Sequence, residues 1–116
     1  MTESHDLFIS RLINAPPTKV WRAWSQPEHL AQWWIPAPYE CRVAKLALRP
    51  GGGFETLMRE GAGDFKPHVE GCFVEVVPER RLVWTTALAE EWRPIEPWLV
   101  LTAAIDFVPE GGGTRY

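Results

Sequence analysis

At 116 residues and 46% hydrophobic content, the chain has the length of one domain and enough apolar material for a single core. A net charge of −3, with no basic run longer than Arg80-Arg81, removes the attraction that phosphate backbones or anionic lipid would need, so neither nucleic acid nor a membrane is an expected partner. The polar N-terminus Met1-Thr2-Glu3-Ser4-His5-Asp6 has no signal-peptide pattern, and the longest apolar stretch, Trp98 to Ile105, is too short to cross a bilayer; the expected compartment is the cytoplasm.

In chain order, Asp6 to Asn14 is rich in β-formers, with Leu7, Ile9 and Ile13 alternating against Phe8 and Leu12, which predicts a strand. Ala15-Pro16-Pro17 stops it and suits the first turn of a helix, along which Val20, Trp21 and Trp24 form a short apolar face ending near Ser25. Ser25-Gln26-Pro27-Glu28 has the spacing of a capping box, and Leu30, Trp33 and Trp34 give the second short helix its buried face. From Tyr39 the pattern is β. Tyr39 to Leu48 is a strand, Arg49-Pro50-Gly51-Gly52-Gly53 a turn, and Phe54, Thr56 and Met58 alternate with Glu55, Leu57 and Arg59 in its hairpin partner. A loop over Glu60 to Pro67 leads to a strand from Val69 to Val77. Pro78-Glu79-Arg80 turns the chain into Arg81 to Leu88, where Leu82, Trp84, Thr86 and Leu88 share a face. Ala89 to Pro97 reads as a connecting loop. Trp98 to Val108 is predicted as one long strand, because Leu99, Leu101, Ala103, Ile105 and Phe107 form an unbroken apolar face, as in a sheet covered on one side. After Pro109-Glu110-Gly111-Gly112-Gly113 a last strand begins at Thr114.

Several strings in this order carry a resemblance. Ala15-Pro16, Val20-Trp21, Trp24, Pro27-Glu28-His29-Leu30 and Trp33-Trp34 are followed by Arg49-Pro50-Gly51-Gly52 with Phe54. Then come Gly71, Pro78-Glu79-Arg80-Arg81-Leu82-Val83-Trp84-Thr85 and Gly112-Gly113-Thr114-Arg115. Together they resemble the activator of heat-shock-protein-90 ATPase homologue family of the START-like superfamily. The chain departs from that pattern at Ala47, where an acid often stands. The resemblance implies an α+β helix-grip fold: a curved antiparallel sheet, two short helices after the first strand, and a lipophilic cavity. The long C-terminal helix usual in such folds is absent from residues 1–116, so the expectation is a single START-like domain that is C-terminally incomplete. The resemblance also implies a choice of roles: binding of a hydrophobic small molecule, co-chaperone action on a heat-shock chaperone ATPase, or cyclase or hydrolase chemistry in the same cavity.

Seven tryptophans (Trp21, Trp24, Trp33, Trp34, Trp84, Trp92, Trp98) stand against roughly one or two in ordinary composition. They serve either as core filler or as the rigid walls of a pocket. The walls expected from alternation are Phe54, Met58, Leu82, Trp84, Leu101, Ala103 and Ile105, with Trp33 or Trp34 at the mouth. His5, His29 and His68 fit no metal-ligand spacing, so no metal and no cofactor is expected. His68 and Glu70, two apart on a strand, are either polar groups of the cavity, a general base with its carboxylate, or a solvated edge. No nucleophile elbow is present, and Cys41 and Cys72 read as small buried hydrophobes. Arg49, Arg80, Arg81, Glu90, Glu91 and Glu96 read as solvated charges. An uncovered concave face would favour a homodimer.

Overall fold

A computed structural model describes residues 7–116, so His5 and the start of the first predicted strand lie outside the described residues. The order is β1 (Leu12–Ile13), α1 (Pro17–Ser25), α2 (Pro27–Trp33), β2 (Tyr39–Leu46), β3 (Gly53–Glu60), β4 (Lys66–Val77) and β5 (Arg81–Thr85). A small hairpin of β6 (Leu88–Ala89) and β7 (Arg93–Pro94) follows, then β8 (Thr102–Asp106), β9 (Val108–Glu110) and β10 (Gly113–Arg115). Ladders run β2-β3-β4-β5-β8 and β1-β10-β9, all antiparallel. The chain passes from β8 into β9 through Phe107, whose N–H donates to the Arg80 carbonyl at 2.9 Å, so the two ladders join edge to edge.

The curvature has a local cause. Each of the first three ladders carries a register shift, at Val43/Lys45, Thr56/Leu57 and Phe73/Glu75. An extra residue on one side of a ladder bends the strand and increases its twist. Three in neighbouring ladders roll the sheet toward the helices. Val20 and Trp24 of α1 and Leu30 of α2 pack there against Phe54, Phe73, Leu82, Trp84 and Phe107. Phe54 stands at the centre, with ring centroids 5.3 Å from Trp34, 5.3 Å from the stacked Phe73 and 5.2 Å from Trp84. Each such pair adds roughly 0.5–1.5 kcal/mol beyond area burial. Opposite Phe54 the register places Gly71, which leaves room for the ring.

The structure corrects several expectations. The first strand shrinks to Leu12–Ile13 because its partner, β10, offers ladder partners only up to Arg115, with one further exchange between Arg11 and Tyr116; Leu7, Phe8 and Ile9 are exposed. The capping box does not form. Ser25 is still helical in α1, and Gln26 instead takes the extended N-cap conformation of α2, without a side-chain bond. The strand expected from Val69 starts earlier, at Lys66. The strand expected over Arg81 to Leu88 stops at Thr85, and the loop expected over Ala89 to Pro97 contains half of the β6-β7 hairpin. That hairpin turns through Glu91 and Trp92 at φ of 60° and 62°, and it docks on the glycine turn: the Glu91 N–H donates to the Gly51 carbonyl at 2.8 Å. The acids read as solvated are partly paired, Glu90 with Lys45 at 2.8 Å and Glu91 with Arg49 at 3.3 Å. Arg81 likewise bridges Glu75 and Asp106. All three clusters are exposed, where such pairs contribute little, roughly 0–1 kcal/mol each.

The long strand predicted from Trp98 begins only at Thr102. Its ladder partner β5 ends at Thr85, which pairs with Thr102, so residues 98–101 have no strand to lie against. They form instead a flap across the end of the sheet. Ala103 and Ile105 do pack on the core and Phe107 is buried, whereas Leu99 and Leu101 remain partly exposed.

Candidate functional site

The flap and the sheet enclose a cavity of about 440 Å³. Trp84 of β5 and Trp34, which caps the C-terminus of α2, form one wall; Ile95, Leu99 and Leu101 of the flap form the other. His68 and Glu70 of β4 and Glu96 supply the polar part of the rim, with Thr86 beneath the flap. Each element is held in place by a definite contact. Thr86, just past β5, donates its hydroxyl to the Leu99 carbonyl at 2.7 Å and accepts the Leu101 N–H at 2.8 Å. Its own N–H donates to the Leu101 carbonyl at 2.9 Å. Trp98 pins the other end of the flap by donating its indole N–H to the His68 carbonyl at 2.5 Å.

Of the residues expected from alternation, Trp34, Trp84, Leu101, His68 and Glu70 meet around this cavity. Phe54 and Leu82 lie beneath it as fully buried core, and Ala103 and Ile105 pack on that core from β8. Met58 sits farther along β3, opposite Cys41 and Lys66. Trp33 does not line the cavity; it is 41% exposed and donates to the Ala23 carbonyl at 2.9 Å. Trp98, Ile95 and Leu99 line it although the pattern assigned them to a loop or to the strand. The signal available was Trp98 itself, a large aromatic directly after Glu96-Pro97, where a proline interrupts the strand reading.

His68 and Glu70 diverge rather than pair. The His68 ring meets the Thr56 hydroxyl at 3.2 Å through Nδ1, whereas Glu70 accepts from Arg93 at 3.2 Å. The expected rise in imidazole basicity is therefore reversed, because partial burial dominates and pushes the His68 pKa below its ordinary 6.5. The sign follows. As pH falls, the unfolded chain protonates this histidine first, so its contribution to stability is complete above 6.5 and declines as pH drops from 6.5 toward the lowered folded value. A proton NMR titration should place the His68 midpoint below 6.5, with His29, exposed on α2, as the internal comparison; a midpoint at or above 6.5 would contradict the burial account.

Cys72 is buried and Cys41 half-buried, with the Cys41 thiol pushed up by burial, so neither is poised as a nucleophile. Among the described residues no group of three or more His, Cys, Asp or Glu side chains is placed to hold a metal ion. No helix among them is long and apolar enough to cross a membrane.

A family model described as Activator of Hsp90 ATPase homolog 1-like protein matches residues 14–116. Among solved structures, a protein from Nitrosomonas europaea is 43% identical with a TM-score of 0.82, over 93% of this chain and 69% of its own. Proteins from Chromobacterium violaceum (26% identity, TM-score 0.74) and Mycobacterium smegmatis (25%, 0.71) each match 92% of this chain. The chain spans 72% and 66% of their respective lengths. No curated protein matches the chain.

Proposed function

The chain belongs to the Activator of Hsp90 ATPase homolog 1-like family, and on that premise we propose that it binds a hydrophobic small molecule in the cavity under the 95–101 flap. The observation that carries this reading is the cavity itself. Its volume of about 440 Å³ falls within the 300–1,000 Å³ typical of small-molecule sites, and its walls are tryptophan and leucine with few polar groups. A packed core using tryptophan only as filler would close this space. Tryptophan fluorescence tests the reading, since Trp34, Trp84 and Trp98 all border the site. Titration with a panel of fatty acids and aromatic polyketides should shift the emission saturably. Leu101→Arg, which brings a cation to the apolar wall, should weaken binding by about tenfold, the effect of roughly 1.4 kcal/mol. No response to any member of the panel would reject the proposal.

The family description favours a second reading, a co-chaperone-like module acting on a heat-shock chaperone ATPase. It predicts a stable complex with that chaperone and a changed ATPase rate, and a pull-down and ATPase assay in which neither appears would reject it.

A further inference from the structure

We propose that the cavity selects an apolar ligand bearing a neutral hydrogen-bond acceptor, a carbonyl oxygen, held jointly by the indole N–H groups of Trp34 and Trp84. This rests on the small-molecule reading above and specifies the chemistry of its ligand.

Among the described residues, Trp34 Nε1 and Trp84 Nε1 are the two buried side-chain polar atoms without a hydrogen-bond partner. Both side chains wall the cavity. Elsewhere the fold satisfies its indoles: Trp24 donates to the Tyr116 hydroxyl, Trp33 to the Ala23 carbonyl and Trp98 to the His68 carbonyl. Native structures pair almost all buried polar groups, and an orphaned donor costs roughly 1–3 kcal/mol. Two such donors in one cavity wall, on rings whose centroids are 5.7 Å apart, mark a place where a missing acceptor would relieve both. A carbonyl oxygen fits the pair because its two lone pairs can receive two donors.

The charge of the lining makes the acceptor neutral. Glu70 and Glu96 border the cavity, no lysine or arginine lines it, and partial burial favours the neutral form of His68. A carboxylate entering here would meet like charge without a cation to offset it. Leu99 and Leu101 on the opposite wall call for an apolar body on the ligand. Neither indole nitrogen is open to solvent, so the acceptor reaches them only when the rings turn toward the cavity. That movement breaks no indole hydrogen bond, since none exists to break.

Three probes of similar size separate the possibilities: acetylnaphthalene, a neutral ketone; ethylnaphthalene, which has no acceptor; and naphthoate, an anion. Calorimetry should show the ketone binding about tenfold more tightly than the hydrocarbon, the gain from two modest hydrogen bonds. In nitrogen–proton spectra of the tryptophan-labelled chain, the Trp34 and Trp84 indole protons should move downfield with the ketone and not with the hydrocarbon. Trp34→Phe and Trp84→Phe, which also assign the two signals, should each reduce the preference for the ketone while leaving hydrocarbon affinity within about twofold. Equal binding of ketone and hydrocarbon, or ketone binding without the downfield shifts, would overturn the inference while leaving small-molecule binding intact. Tightest binding of naphthoate would overturn the neutral-acceptor assignment. Binding of none of the three would count against both readings. If a phenylalanine variant fails to fold, the affinity ranking and indole shifts of the unmodified chain still decide.

Discussion

Replacing Gly52 with alanine should destabilise the fold by about 3–5 kcal/mol, a large share of the roughly 5–15 kcal/mol that holds a domain of this size together. A β-carbon at this position would lie 2.0 Å from the Ala47 carbonyl oxygen and 2.9 Å from that of Arg49. Both are backbone atoms, so no rotamer change relieves the clash and the turn itself must open. That turn is stitched into the sheet on both sides. Gly52 donates to the Arg49 carbonyl at 2.8 Å, Phe73 donates to the Gly52 carbonyl at 2.9 Å, and Gly51 donates to the Phe73 carbonyl at 2.7 Å. Opening it therefore loosens β4 at Phe73, one of the fully buried rings of the core, and unseats the β6-β7 hairpin docked on Gly51. Urea unfolding followed by fluorescence would measure the loss. Gly63→Ala is the control: its β-carbon would come no closer than 3.4 Å to the Glu60 carbonyl, and the change should stay within about 0.5 kcal/mol. Equal midpoints for the two variants would show that the turn does not hold the sheet as described.

The importance of that turn is legible in the string Arg49-Pro50-Gly51-Gly52-Gly53, because turn chemistry is local and a run of glycines has few other uses between two strands. The helices are legible for the same reason: Pro17 and Pro27 open them, and Val20, Trp24 and Leu30 mark their buried sides. What alternation could not show is where a partner strand stops. Leu99 and Leu101 continue the apolar rhythm of Ala103, Ile105 and Phe107 without a break, yet β5 leaves the ladder at Thr85 and the rhythm loses its physical meaning there. Alternation also separates faces without separating core from cavity. Phe54 and Trp84 share the inner side of the sheet, but Trp34 and the helices seal Phe54 in, whereas Trp84 still borders open space. The contacts that make the cavity are longer in range than any local pattern, reaching 30 residues between Trp98 and His68. Thr86 could be placed on the inner face; its role in holding a flap 13 to 15 residues away could not.

That role carries the second large effect. Thr86→Val keeps the shape of a side chain only 6% exposed and removes the one atom that bonds the flap twice. If the flap stayed down, the Leu99 carbonyl and the Leu101 N–H would lose their hydroxyl partner, at roughly 1–3 kcal/mol for each buried group left unpaired. Lifting the flap into water avoids that cost, because residues 98–101 belong to no ladder and only the bond between the Thr86 N–H and the Leu101 carbonyl and the Trp98 anchor resist it. The open arrangement takes Leu99 and Leu101 away from the cavity wall, and with them the apolar contact area that a ligand would bury. The expected result is a loss of acetylnaphthalene affinity of tenfold or more, about 1.4 kcal/mol or greater, with a smaller change in global stability and faster hydrogen exchange at the Leu101 amide. Thr102→Val serves as the comparison, since that exposed hydroxyl meets only Thr85 at 2.8 Å, outside the cavity wall, and its loss should leave affinity unchanged. Unaltered affinity in Thr86→Val, together with a Leu101 amide as protected as before, would mean that the flap is held by Trp98 and packing alone and that the hydroxyl is incidental to the site.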